Sequence, residues 1–343
     1  MAEPRMTVIM SCYNQAQYLR QAVESVLSQK TNFPVRLVIT DDNSQRDDSK
    51  EIAKEIAERH PENVVALLNE ENGRYLKNIL RVKAITKTEY FTLLDADDYW
   101  TDMDYLQKAV DFLDTHLDFT IYSCNVECLE EDGSRHPFND GRHHEYDSSF
   151  QDFLDGTVST TQTGGTVFRN VIFAHGIPAM MSDASGTDAE RLFEGDFTRY
   201  LMHLQAGRAH FVNEFSGVYR ILPQSLWASL PQSEKYAIGA LSHLYFDEFF
   251  GGKYHDAFIW KSFAELRKSF AALRNEILDG SYVPCENRDR RITEVARRLS
   301  SSGARLKSGR CVPGVGGQIC DRLLHKLAKR LAKNSHWYPR DGV

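Results

Sequence analysis

The run Tyr90-Phe-Thr-Leu-Leu-Asp-Ala-Asp-Asp-Tyr-Trp100 constrains this chain more than any other stretch. An apolar, β-type segment from Phe91 to Leu94 empties directly into Asp95, Asp97 and Asp98. Three carboxylates at the end of a buried strand repel one another and are costly to desolvate unless a cation sits with them. Hard oxygen ligands at this spacing suit Mg²⁺ or Mn²⁺, ions that usually arrive with a phosphate. The competing reading is an acidic turn that caps the next helix, because Asp is common in turns and at helix starts. The rest of the chain has to decide between them.

Thr7 to Met10 is a short apolar run that stops at Ser11, Cys12, Tyr13 and Asn14. Leu19, Ala22, Val23, Val26 and Leu27 recur at helical spacing and predict an amphipathic helix over 15–29. A second strand, 35–39, ends at Thr40, Asp41, Asp42, Asn43 and Ser44. A helix over about 47–59, a strand over 64–68 and a helix over 75–85 lead back to the acidic run. This β-α-β-α-β-α-β order with short connections argues an α/β fold, a mostly parallel sheet with helices on both faces. Such sheets bind ligands outside the carboxyl ends of their strands, where residues 11–14, 41–44 and 95–98 collect. No G-x-G-x-x-G follows the first strand and no G-x-x-x-x-G-K-[ST] occurs, which argues against a dinucleotide-binding dehydrogenase and a P-loop NTPase. Phosphates would then be held by a metal on carboxylates, with Asp41 or Asp42 accepting hydrogen bonds from a base or ribose.

Several pieces, in this order and spacing, resemble the nucleotide-sugar-binding half of family 2 glycosyltransferases of the GT-A fold, bacterial surface-polysaccharide type. They are Val8-Ile-Met-Ser-Cys-Tyr-Asn14 with Tyr18 and Leu19, Ser25 to Gln29, Leu37-Val-Ile-Thr-Asp-Asp-Asn-Ser44, Asn72-Gly73 with Asn78, and Leu93 to Trp100. The resemblance covers about residues 6–115. It implies that Ser11, Tyr13, Asn14 and Asp41 hold the uracil and ribose, and that Lys77 and Asn78 lie near the base or phosphates. Asp95 would face the ribose with Ala96 beside it in the donor site. Asp97 would bind the metal that bridges the diphosphate, leaving Asp98 a structural role.

In the middle of the chain a helix over 104–113, a strand over 119–124 and a hairpin turn at Glu130 to Gly133 are expected. His136, His143 and His144 invite a zinc reading, but they lie in a polar loop without a fixed Cys/His frame. The small residues between Thr157 and Arg169 suit a backbone passing close to a ligand. The resemblance sets such a stretch beside the donor sugar, with a plain structural strand as the alternative. Residues 181–192 read as a loop of the lid or acceptor-binding kind. Asp196 opens a helix that runs to Gln205, where free N–H groups and the helix dipole stabilise a carboxylate, so a cap is the plain reading. Glu194-Gly-Asp196, followed by Ala206 to Val212 and Gly217-Val-Tyr-Arg220, is similar to the family's acceptor-side segment. By that resemblance Asp196 is the general base and Glu194 its nearby alternative. One departure follows: Leu222 stands where relatives commonly carry a histidine two residues after the Tyr-Arg pair. The metal would then rely on Asp97 and water, and Arg220 would face the diphosphate or an ordinary ion partner.

No apolar run approaches the roughly 20 residues needed to span a bilayer, and the N-terminus leads into a strand with no signal-peptide apolar core. The six cysteines are scattered, so reduced thiols in a cytoplasmic protein are expected. The net charge of −7 conceals an asymmetry: from Pro284 onward there are 14 Lys/Arg against 5 Asp/Glu, and before it 27 against 43. A glycosyltransferase domain over 1–230, with donor half 1–115 and acceptor half 116–230, is expected to precede a helical extension over 231–283 and a basic tail over 284–343. Aromatic faces on the extension suit a core or a homo-oligomer interface. In the tail, a basic helix over 288–299 and a linker precede a second helix over 318–333, on which Ile319, Leu323, Leu327 and Leu331 recur every four residues, with Trp337 and Tyr338 after it. Segment 318–338 suits an anionic membrane surface at the inner leaflet, or packing on its own domain or a partner subunit. Nucleic-acid recognition motifs are missing.

These readings converge on an inverting, metal-assisted transferase that moves a sugar from a nucleotide-sugar, a UDP-sugar, to a glycan or lipid-linked acceptor. A sugar nucleotidyltransferase and a non-catalytic nucleotide-sugar-binding protein are the alternatives.

Overall fold

The structure, a computed structural model, describes residues 3–302 apart from 141–143, 159–160, 187–188, 194–195, 224 and 226. His143, Glu194 and the whole of segment 318–338 therefore lie outside the described residues. The chain divides into two compact units, Met1–Ser225 and Leu226–Val343.

The first unit begins with β1 (Met6–Cys12), α1 (Ala16–Leu27), β2 (Val35–Asp41), α2 (Ser49–Arg59), β3 (Val64–Leu68), α3 (Arg74–Ile85) and β4 (Tyr90–Leu93). Strands β1, β2 and β4 are apolar on both faces and almost wholly buried, as strands of a sheet covered on both sides must be. Helix α1 buries Leu19, Ala22, Val23 and Val26 along one face, and these pack with Val8, Met10, Leu37, Ile39 and Tyr90 in one core. The order β3-β2-β1-β4 is parallel throughout. All three carboxyl ends next to the acidic run therefore point the same way.

The second half of the unit comprises β5 (Tyr99–Trp100), α4 (Tyr105–Thr115), β6 (Phe119–Leu129), β7 (Arg135–Pro137), β8 (Glu145–Ser148), α5 (Phe150–Asp155), β9 (Thr166–Arg169), α6 (Ala179–Ala184), α7 (Asp196–Ala206) and β10 (Arg208–Arg220). The sheet continues β4-β9-β6-β10-β5, with β7 on β6 and β8 on β10. Here the direction is mixed: β9 runs antiparallel to β4 and β6, β10 parallel to β6, and β5 and β8 antiparallel to β10. The parallel sheet expected from the sequence thus holds for the first four strands and gives way to mixed pairing after them. The strand expected over 119–124 extends to Leu129 before the Glu130–Gly133 turn, and the loop expected over 181–192 contains the end of α6 and a short 3₁₀ turn at Glu190–Leu192.

The second unit holds α8 (Gln232–Phe249), α9 (His255–Leu278) and α10 (Glu286–Ser302). Phe246, Phe250 and Phe258 stack within its core, while Trp260 stays 44% exposed. Helix α10 buries Ile292, Val295, Ala296 and Leu299. Its arginines are spent inside the unit, Arg288 on Glu276 and Asp289, Arg291 on Glu234 at 2.5 Å, and Arg298 on Glu248 and Glu294. Much of the basic character read from Pro284 onward is therefore paired with acids of the helix's own unit. Cys12, Cys124, Cys128 and Cys285 carry free thiols. Among the described residues no helix is long and apolar enough to cross a membrane.

Candidate functional site

The backbone carries the acidic run past the end of β4 by continuing to pair with β1: the Leu94 N–H donates to the Ile9 carbonyl and the Ala96 N–H to the Ser11 carbonyl. Asp95 is thereby set against Ser11, whose hydroxyl donates to Asp95 Oδ1 at 2.5 Å. The chain then turns, the Asp98 N–H donating to the Asp95 carbonyl. Asp98 points inward, 2% exposed, and accepts from the Arg220 backbone N–H at 2.8 Å and from Gln162 Nε2 at 3.1 Å. Asp97 is left half-buried between these neighbours.

All three acids resist ionisation. Burial, then the charge of Asp95, pushes Asp97 up to about 7, against a hydrogen bond from Gln15 and the charge of Arg220. Burial also raises Asp95, with Asp196 adding and the Ser11 bond and Arg199 opposing. Burial followed by Asp97 and Asp95 raises Asp98 well above the carboxylate range. Arg220 is fixed beside them: its guanidinium donates to the Asp97 carbonyl oxygen and to Gln21 Oε1, between the rings of Tyr18 and Tyr99, each 4.7 Å away.

Among the described residues no group of three His, Cys, Asp or Glu side chains could hold a metal on its own. His136 instead bonds Glu130, and Leu222 offers no ligand. Mg²⁺-type ions, however, are commonly held by one or two carboxylates together with substrate phosphates. Two crowded carboxylates that are hard to ionise without a cation fit that mode, so Asp97 with Asp95 could hold Mg²⁺ or Mn²⁺; Asp98 is already committed to Arg220 and Gln162.

The loops after β1 and β2 are tied together. Asn14 adopts a left-handed backbone (φ 53°), a conformation Asn tolerates better than most residues. Its N–H donates to Ser44 Oγ, and its Oδ1 accepts from the Gln45 and Arg46 N–H groups. Asp41 is wholly buried, its two oxygens taken by the Ser44 N–H and hydroxyl. The base and ribose role expected of Asp41 would require Ser44 to give way. Asp42 accepts from the Gly73 N–H, and Asn78, also buried, accepts from Asn69. Asn14, Asp41 and Asn78 thus shape the rim of the site, whereas Tyr13 presents an exposed ring, 45% accessible.

The opposite wall comes from the turn Thr163–Gly165 and the start of α7. Trp100 Nε1 donates to the Gly164 carbonyl at 2.7 Å and pins the turn to the acidic run. Thr163 Oγ1 donates to Asp196 Oδ1, and Arg199 Nη2 donates to the same oxygen at 2.5 Å. Arg199 is buried, with Nη1 3.4 Å from the Tyr75 hydroxyl. Burial opposes its charge, but Tyr75, Asp196 and Asp95 hold its pKa above the ordinary value. Asp196, whose side chain is 36% exposed, faces a small pocket lined by Thr161, Thr163, Arg199 and Tyr200. The Tyr219 hydroxyl feels Asp98, Asp95, Asp196 and Asp97 together, which with burial raises its pKa. Ser11, Asp95, Asp97 and Asp196 are therefore gathered in one place. Thr163, Arg199, Tyr75 and Tyr219 belong with them and were not singled out from the sequence. Arg199, three residues after Asp196 on a helix, carried the one local signal.

A doubly wound sheet with an acidic turn at its carboxyl edge, extended by mixed strands and a carboxylate at a helix start, defines a GT-A-type protein. Residues 7–176, just under half of the chain, match the family described as "Glycosyl transferase family 2". An uncharacterized protein of Mycobacterium tuberculosis is 29% identical over 233 residues, covering 65% of this chain and 61% of that protein. The chain thus spans about three fifths of that relative's length. The minor teichoic acid biosynthesis protein GgaB of Bacillus subtilis is 31% identical over 111 residues, 32% of this chain and 12% of GgaB. Residues 1–349 of S. aureus TarS, solved in complex with UDP-GlcNAc, share the fold with a TM-score of 0.56 at 15% identity, covering 99% of this chain and 94% of that one.

Proposed function

We propose that this chain is an inverting glycosyltransferase that moves a sugar from a UDP-sugar to a hydroxyl of a glycan or lipid-linked acceptor in surface-polymer synthesis. The observation that carries this reading is the proximity of Asp95 and Asp97 to Asp196, close enough that Asp95 feels the charge of Asp196 and that Tyr219 feels all three. The nucleoside would lie over the rim made by Tyr13, Asn14, Asp41 and Asn78, with Asp95 toward the ribose and Ala96 beneath it. A divalent cation on Asp97, when bound, would offset the charge developing on the leaving diphosphate. Arg220, fixed beside Asp97, adds a permanent positive charge on that side. Asp196 takes the proton of the acceptor hydroxyl as that oxygen bonds to the anomeric carbon. The bond to the diphosphate breaks with its electron pair on the opposite face, through an oxocarbenium-like transition state. The name of GgaB and the UDP-GlcNAc bound by TarS support the choice of a UDP-sugar and a surface polymer.

The test is UDP release from a panel of UDP-, GDP- and dTDP-sugars with Mn²⁺, alongside thermal shifts with each donor. Donor binding should raise the melting temperature by mass action, and at least one UDP-sugar should release UDP. Stabilisation without release would leave a nucleotide-sugar-binding protein; neither response would sink the proposal. Asp196→Asn should keep the UDP-induced shift and lose at least about a hundredfold in rate, the low end of general-base effects.

A further inference from the structure

A general base needs one oxygen free to receive the proton and a fixed direction for it. Asp196 has that division. Thr163 Oγ1 and Arg199 Nη2 both donate to Oδ1, while Oδ2 makes no hydrogen bond among the described residues. The two donors come from different elements, the Thr163–Gly165 turn and the body of α7. Each is itself held. Thr163 is 9% exposed, and its turn is pinned by the Trp100 indole. Arg199 is 2% exposed and reaches across to the Tyr75 hydroxyl on α3. A side chain at the exposed start of a helix would otherwise sample several rotamers. Here one oxygen is clamped from two sides, and the other is left without a hydrogen bond among the described residues.

We propose that Thr163 and Arg199 are positioning residues for the base: they hold Asp196 Oδ1 so that Oδ2 alone meets the acceptor hydroxyl. The inference rests on Asp196 being the general base. Thr163 is the sharper probe because its hydroxyl can be removed at nearly constant shape, whereas an altered Arg199 leaves buried acids without their partner. Misaimed reacting groups cost rate without costing donor affinity, and that split separates positioning from a merely structural role.

The experiment uses the full chain with UDP-N-acetylglucosamine and UDP-glucose as probe donors, following UDP release, and measures UDP affinity by calorimetry. Thr163→Val should lower kcat by about tenfold or more while UDP affinity and Tm stay near the parent's. Thr163→Ser, which restores the donor hydroxyl, should bring kcat back to within about threefold. Arg199→Lys should recover part of the rate lost in Arg199→Met, since one ammonium replaces one arm of the fork. A parent-like kcat in Thr163→Val, a Thr163→Ser as slow as Thr163→Val, or a parallel loss of UDP affinity would each overturn the clamp. Asp196→Asn, run beside them, keeps the two readings apart. If it is slow while Thr163→Val is parent-like, only the clamp fails; if it is parent-like, the base assignment fails and the clamp with it.

Discussion

Gly165 sits where β9 leaves the turn that presents Thr163, and a Cβ there would lie 2.7 Å from the carbonyl oxygen of Cys124 on β6. That neighbour is the backbone of an inner strand and cannot swing aside. Gly165→Ala should therefore cost about 1–3 kcal/mol, as overpacking typically does, and carry Thr163 away from Asp196. Urea unfolding followed by circular dichroism checks it, and an unchanged midpoint would mean that β6 yields. Gly164→Ala is the milder companion, since its nearest neighbour at 3.0 Å is the terminal methyl of Leu94. The small residues before β9 were conspicuous in the sequence, but their reason was not. It lies in the register that sets Thr166 opposite Ser123, a pairing between residues far apart in the chain. The same holds for Thr163 and Arg199: each is an ordinary residue until the fold brings both to one carboxylate oxygen.

Helix α7 carries Asp196, Arg199 and His203 at successive turns, so the element that presents the proposed base is anchored by a buried imidazole. The Nδ1–H of His203 donates to the Arg199 carbonyl at 2.7 Å, and its ring packs among Phe91, Phe168 and Phe173. Burial, with the nearby cations Lys83 and Arg199 adding, lowers its pKa to about 3 despite that hydrogen bond. Below its unfolded pKa near 6.5 the unfolded chain binds a proton that the native helix refuses, so stability falls as pH falls. The loss spans the window from about 6.5 down to about 3, by up to ~1.4 kcal/mol per pH unit. His243, lowered to about 3 by burial in the second unit, adds a similar dependence there. Replacing His203 with Phe should remove its share, so that the stability lost between pH 6.5 and pH 5 shrinks by about 2 kcal/mol. Equal losses in parent and variant would mean that the imidazole ionises inside the fold. The elements themselves divide by how they are built. From β1 to β4 each is marked by its own periodicity and ends within a few residues of where the pattern stops. The antiparallel entry of β9 and the extension of β6 to Leu129 depend on partners distant in sequence, and no local period encodes them.

Across the whole molecule the charge asymmetry changes meaning once α10 is seen. Arg288, Arg291, Arg297 and Arg298 all pair with carboxylates of their own unit. The rest of the basic excess lies in 303–343, which holds 9 Lys/Arg against 2 Asp and lies outside the described residues. Basic residues near an anionic bilayer contribute about 1 kcal/mol each, and the apolar repeat Ile319, Leu323, Leu327 and Leu331 would add buried area if that segment is helical at the surface. The acidic remainder of the chain is repelled by the same membrane, so docking would rest on this segment alone. Full-length protein should then sediment with phosphatidylglycerol-containing vesicles, less so as salt rises from 50 to about 300 mM because screening shortens the reach of the charges. A chain ending at Ser302 should stay in the supernatant while keeping its UDP-induced thermal shift, because every residue proposed for the donor site lies before it. Sedimentation of the shortened chain, or binding by the full chain that ignores salt, would move the attraction to another surface. No sedimentation of either would favour a protein partner for the same basic segment. A positive result would favour a membrane-borne acceptor for the hydroxyl that Asp196 is proposed to deprotonate, and donor turnover should then rise when the vesicles carry such an acceptor.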